Sequence, residues 1–149
     1  MKQFWITTMV FFFFFCVTPV TTQADIQSVT FTSTTGTVAP QYWRGTTLTV
    51  TSDLKTKRVV EGAYGSEMLE TKEGTITQVQ FDSLVKALND ADFTRVKSTA
   101  LNPRPVGGGS SSLTVQTDKA KYEFSGPTTS IFPKAIGEIF DGRGQYMPQ

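Results

Sequence analysis

The chain has 149 residues, one Cys, no His, and 14 basic against 13 acidic side chains. Without His, Ser-His-Asp triads, His-based zinc sites and His ligation of haem are excluded. The near-zero net charge offers no electrostatic footprint for nucleic acid or an anionic membrane, and no residue pattern calls for a cofactor.

The first segment reads as an export signal. Lys2 precedes an apolar run centred on Phe11 to Phe15, followed by a polar stretch and Ala24. This is the order of a secretory leader: basic start, apolar middle, small residue at the cut. Thr22 and Ala24 suit the third and first positions before cleavage, which places the mature start at Asp25 and the leader at residues 1–24. Thr18 and Pro19 interrupt the apolar run, and a spanning helix needs about 20 residues, so no stable membrane insertion is expected after cleavage. Cys16 follows Phe13, Phe14 and Phe15 rather than the small residues of a lipid-attachment site, and it leaves with the leader. The expected product is a periplasmic or secreted chain with no disulfide, which favours a bacterial source. Roughly 125 residues remain, enough for one domain, 25–149, with its own core.

Period-two alternation opens the mature chain. Val29 and Phe31 share one face of a strand in "IQSVTFTST", and a loop with Gly36 and Pro40 follows. Leu48 and Val50 then face opposite Thr47, Thr49 and Thr51, the pattern of a half-buried strand. "SDLKT" turns into "KRVVEGA", giving a hairpin, and "SEMLETKEGTI" reads as a weaker strand with Met68 near its start. The period then changes. Phe81, Leu84, Val85 and Leu88 fall at helical spacing, and Thr77 with Gln80 has the capping-box form, so a helix is expected from Gln78 to about Asp90. Asp82 and Lys86 are placed for an i,i+4 ion pair. "FTRVKS" fits a short strand or a helical turn. "SLTVQTD" and "AKYEFSG" form a second hairpin, in which Leu113 and Val115 share one face and Tyr122 and Phe124 share another. Ile136, Ile139 and Phe140 mark a last helix, with Pro133 near its first position and Gly142 near its end. The expected fold is α+β: one antiparallel sheet of about five to six strands, order β-β-β-(β)-α-β-β-α, with both helices on one face and a Thr-rich face towards water.

The stretch "NPRPVGGGSSSL", Asn102 to Leu113, fits no nucleotide site. It lacks the Lys of a phosphate-binding loop, and a strand follows it rather than a helix. It is not a domain linker, because the remaining chain is too short to fold alone. Its glycines either turn the chain sharply into the next strand or shape a recognition loop. Hairpin topology supports the second use. The loop entering the Leu113 strand and the loop leaving the Phe124 strand must emerge at one end of the sheet. Together they would present Arg104, Gly107, Gly108, Gly109, Ser110, Thr128 and Thr129, with Arg104 suited to a carboxylate or phosphate.

Other constellations are weaker. Ser110 or Ser111 with Lys119 or Lys121 would make a Ser-Lys dyad only if the fold joined them. Glu61, Glu67, Glu70 and Glu73 could pair for glycoside hydrolysis only across a cleft. Asn89, Asp90 and Asp92 lack the Gly and Glu of a calcium loop and read as a solvated helix end. Trp43 beside Tyr42 is either a sugar-stacking platform or a core anchor, with one ring inside and the other exposed.

Gly36, Val38 and Pro40, the helix residues Phe81, Leu84, Ala87, Leu88, Asp90, Ala91, Asp92 and Phe93, and Pro105 to Ser110 together resemble small exported bacterial proteins of unknown function. That resemblance implies no activity. The expected function is a non-enzymatic exported domain that binds a protein or cell-envelope partner through loops at one end of the sheet. A small carboxylate- or Ser/Lys-dependent hydrolase and a structural envelope component are the alternatives.

Overall fold

The computed structural model describes residues 25–96, 109–126 and 134–148. Six strands form: β1 (Ile26–Thr34), β2 (Arg44–Thr51), β3 (Lys55–Gly62), β4 (Glu67–Thr75), β5 (Ser110–Thr117) and β6 (Lys121–Gly126). Helix α1 spans Gln78–Asp90 and helix α2 spans Lys134–Asp141. The strands make one antiparallel sheet in the order β4-β3-β2-β1-β5-β6. The α+β architecture and its element order are those expected from the periodicity.

The alternation along each strand builds the core through register. Leu48, Phe31, Leu113 and Phe124 stand side by side across four strands, and Val50, Val29, Val115 and Tyr122 form the next row. Leu113 therefore faces Phe124, and Val115 faces Tyr122, so these four share one side of the sheet. Phe81, Leu84 and Leu88 of α1 and Ile136, Ile139 and Phe140 of α2 are buried in the same cluster. Full burial of each such side chain contributes roughly 1.5–3 kcal/mol. The opposite face carries Thr30, Thr32, Thr47, Thr49, Ser112 and Thr114, all half-exposed, with Thr30 and Thr49 hydroxyls 3.4 Å apart.

Helix α1 starts where the sequence places it. The Thr77 hydroxyl accepts from the Gln80 N–H at 3.2 Å, and the Gln80 side chain accepts from the Thr77 N–H at 2.9 Å. Such a cap is typically worth about 1 kcal/mol. The Asp82–Lys86 pair does not form. Asp82 accepts from Gln78 Nε2 at 2.7 Å, and Lys86 reaches forward to Asp90 at 2.5 Å, towards the negative end of the helix. "FTRVKS" begins as a turn that buries Phe93 edge-on against Tyr122, with ring centroids 5.1 Å apart. Pro133 lies outside the described residues.

After α2 the chain makes a 3-10 turn, Gly142–Tyr146, and runs back under the sheet. Tyr146 is buried and stacks on Phe31 at 6.3 Å, while Phe140 meets the same ring edge-on at 6.0 Å. Pro148 closes on Gly74 of β4. Arg143 donates to the Phe140 carbonyl at 2.8 Å and lies 4.2 Å over that ring, so its charge closes the carboxyl end of α2.

Candidate functional site

All six strands bring a terminus to the end of the sheet that includes Ser110. β1, β3 and β6 finish there, and β2, β4 and β5 begin there. Ser111 pairs with Gly126, so the open end of the β5–β6 hairpin lies at this end, as hairpin topology requires. Of the residues expected to form a recognition surface, Gly109 and Ser110 are described. Arg104, Gly107, Gly108, Thr128 and Thr129 lie outside the described residues.

Gly109 and Ser110 are tied to the end of β1. The Ser110 hydroxyl bonds the Thr34 hydroxyl at 2.7 Å. A Cβ on Gly109 would collide with the Thr34 carbonyl oxygen. Glycine here admits a close approach of two backbones, which is a packing reason for at least this member of the Gly run.

The neighbouring loops carry a feature that sequence reading did not single out. Of the large hydrophobic side chains exposed among the described residues, all but Val79 lie at this end: Val38, Tyr42, Tyr64, Met68 and Leu69. Tyr42 and Met68 are each 70% exposed. Trp43 lies flat over Gly45, where a Cβ would stand 2.6 Å from its ring, and Tyr64 packs against it at 5.6 Å. The expectation that Trp43 or Tyr42 would enter the core is corrected. Trp43 rests half-buried on the Thr-rich face because Gly45 leaves room for it there, and Tyr42 points to solvent.

This arrangement is held deliberately. Arg44 donates to the carbonyls of Gln41 at 2.9 Å and Trp43 at 2.7 Å, and the Tyr64 hydroxyl donates to the Val38 carbonyl. Ala63 and Tyr64 both adopt left-handed backbone conformations, φ 46 and 58, in the turn between β3 and β4. Such positions cost of order 1–3 kcal/mol each and persist where surrounding contacts enforce them. The turn fixes the Tyr64 ring on Trp43, and no composition or periodicity signal announces it. The nearest clue is the Ala-Tyr-Gly sequence between two strands.

The Ser-Lys dyad is not assembled, and two of the four candidate glutamates are engaged in ion pairs. Ser110 and Ser111 begin β5, whereas Lys119 sits in the turn at the far end of the hairpin and Lys121 pairs across from Gln116. Glu70 binds Arg58 at 3.3 Å and Lys72 at 3.6 Å, while Glu73 binds Lys57 at 3.0 Å from the opposite side of the sheet. Asp90 is paired with Lys86, and Asp92 with Arg95 at 3.6 Å, consistent with a solvated helix end. Among the described residues no group of three acidic or sulfur ligands is placed to hold a metal ion.

The perturbed titrations lie elsewhere. A hydrogen bond from Lys55, reinforced by one from Thr51, holds the Asp53 carboxyl down at about 2 in the turn at the opposite end of the sheet. Burial pushes the Tyr146 phenol up, partly offset by the hydrogen bond from Gln145. Neither group borders the exposed aromatic end.

The chain matches no family model and no curated protein sequence. Its site is therefore argued from its own residues.

Proposed function

We propose that this chain is an exported domain that binds a protein or cell-envelope partner through the loops at the Ser110 end of its sheet. The observation that carries this reading is the concentration of exposed apolar side chains there. Tyr42, Tyr64, Met68, Val38 and Leu69 gather at one end of a domain whose other described surface is mainly Thr, Ser, Lys and Glu. Contiguous apolar exposure rimmed by polar residues is characteristic of interaction sites. Tyr, Trp and Met are enriched at interface centres, and Tyr and Trp bury large area for few frozen torsions. The left-handed Ala63–Tyr64 turn adds to the argument, since it holds the ring in place before any partner arrives, which lowers the ordering cost of binding.

The test is capture from the envelope and culture fluid of the source cell. The bait is the tagged chain from Asp25, beside a Val38→Ser/Tyr42→Ser variant and a Lys119→Ser control altered at the opposite end. A partner held by wild type and control but lost by the double variant supports the reading. Equal capture by all three baits moves the binding surface away from this end. No capture by any bait, with the fold intact by circular dichroism, removes the binding reading.

A further inference from the structure

We propose that the outer edge of β4 pairs with the β4 edge of a second copy of this chain, joining two sheets about a two-fold axis at Thr71. Among the described residues β4 is the last strand on its side of the sheet, and its residues are exposed apart from the half-buried Glu70 and Gly74. An outer strand edge offers N–H and C=O groups that another strand can satisfy. Edges are usually blunted by charge, and here the order of the charges decides which strand is admitted.

In a symmetric antiparallel pair, the residue at the axis faces its own copy, and neighbours on either side face one another. Residues directly opposite must also stand on the same face, so the axis passes through a residue rather than between two. The midpoint of Glu67–Thr75 is Thr71. With the axis there, Glu70 of each copy faces Lys72 of the other. No two like charges stand directly opposite. Moving the axis one residue along, to Glu70 or to Lys72, sets that residue against itself. The register centred on Thr71 is thus the one that its charges favour.

The side chains are positioned for the exchange. Glu70 already lies 3.6 Å from Lys72 on its own strand and 3.3 Å from Arg58. A second copy would extend this group into an alternating ring of carboxylates and ammonium groups across the junction. The register shift between Val60 and Glu61 leaves Leu69 out of the β3 ladder, so the Glu70–Thr71–Lys72 segment forms the pairing centre. An interface this small belongs to the weak, transient class.

Sedimentation equilibrium of the chain from Asp25, up to millimolar concentration and at low and high salt, tests the proposal. Wild type should show a salt-sensitive monomer–dimer equilibrium. Glu70→Lys and Lys72→Glu should each weaken self-association at least about tenfold, because each sets like charges opposite one another. An equimolar mixture of the two variants should dimerise again, since every facing pair is then opposite in sign, and the Glu70→Lys/Lys72→Glu double variant should self-associate like wild type. The rescue by mixing separates loss of pairing from loss of fold. A monomeric wild type at millimolar concentration overturns the proposal. So does a dimer unaffected by either charge reversal, and so does a mixture that stays monomeric.

Discussion

Replacing Tyr146 by Ala removes a ring that joins the chain's last turn to the middle of its sheet. Tyr146 is 3% exposed and stacks on Phe31 at 6.3 Å, with the planes 17° apart. An aromatic side chain buries about 150–250 Å², which at about 25 cal/mol per Å² corresponds to roughly 4–6 kcal/mol. Partial collapse of the cavity, together with the methyl that Ala keeps, lowers the expected loss to about 3–4 kcal/mol. For a domain of this size that is a fall in Tm of roughly 10–15 °C. Urea denaturation followed by circular dichroism measures it directly. Tyr146→Phe keeps the ring and gives up the hydrogen bond from Gln145 Nε2 at 3.0 Å, so it should cost no more than about 1 kcal/mol. The phenol adds a pH signature. Its folded-state pKa stands above the ordinary 10.0 because burial disfavours the charged form. Its stabilising contribution is therefore complete below pH 10 and is lost as pH rises through the folded value, a loss that Tyr146→Phe should abolish. An unfolding midpoint for Tyr146→Ala within about 0.5 kcal/mol of wild type would refute the placement of the tail in the core.

Gly45→Ala should displace Trp43, whose ring occupies the space a Cβ needs at 2.6 Å, and move its fluorescence to the red. Trp43 is the only tryptophan in the chain from Asp25, so unchanged emission of that chain would show that the ring does not lie there. Gly109→Ala should destabilise the domain by about 1–3 kcal/mol by forcing β5 away from the Thr34 carbonyl, and an unchanged denaturation curve would remove that contact from the account. The Asp53 carboxyl should titrate near 2 by NMR at low salt and move up towards its ordinary value in Lys55→Ala. Because the folded-state value is depressed, the Asp53 interaction favours the native state above the unfolded value of 3.8 and is lost as pH falls towards 2. A midpoint unmoved by Lys55→Ala would mean that another group sets it.

Much of the architecture was legible in the sequence because its causes are local. Alternation at Val29, Phe31, Leu48 and Val50 dictates a strand with one apolar face, whichever strand lies beside it. The Thr77–Gln80 cap and the spacing of Phe81, Leu84 and Leu88 define a helix before it has anything to pack against. The common end of the β5–β6 hairpin follows from connectivity alone. Pairing between distant segments was not legible. Nothing in β1 or β5 says that they are neighbours, because a Thr/Val/Leu pattern accepts any similar partner, and only assembly of the whole sheet places β1 at its centre. The same holds for the candidate site. Tyr42, Tyr64 and Met68 are isolated letters in three separate segments, and the left-handed turn at Ala63–Tyr64 is not a conformation that their side chains prefer. Their meeting at one end, the Trp43 ring on Gly45 and the Tyr146 ring on Phe31 depend on side chains brought together through space. Local sequence determined which segments could be strands or helices. Only the tertiary structure decided which surfaces those segments would share.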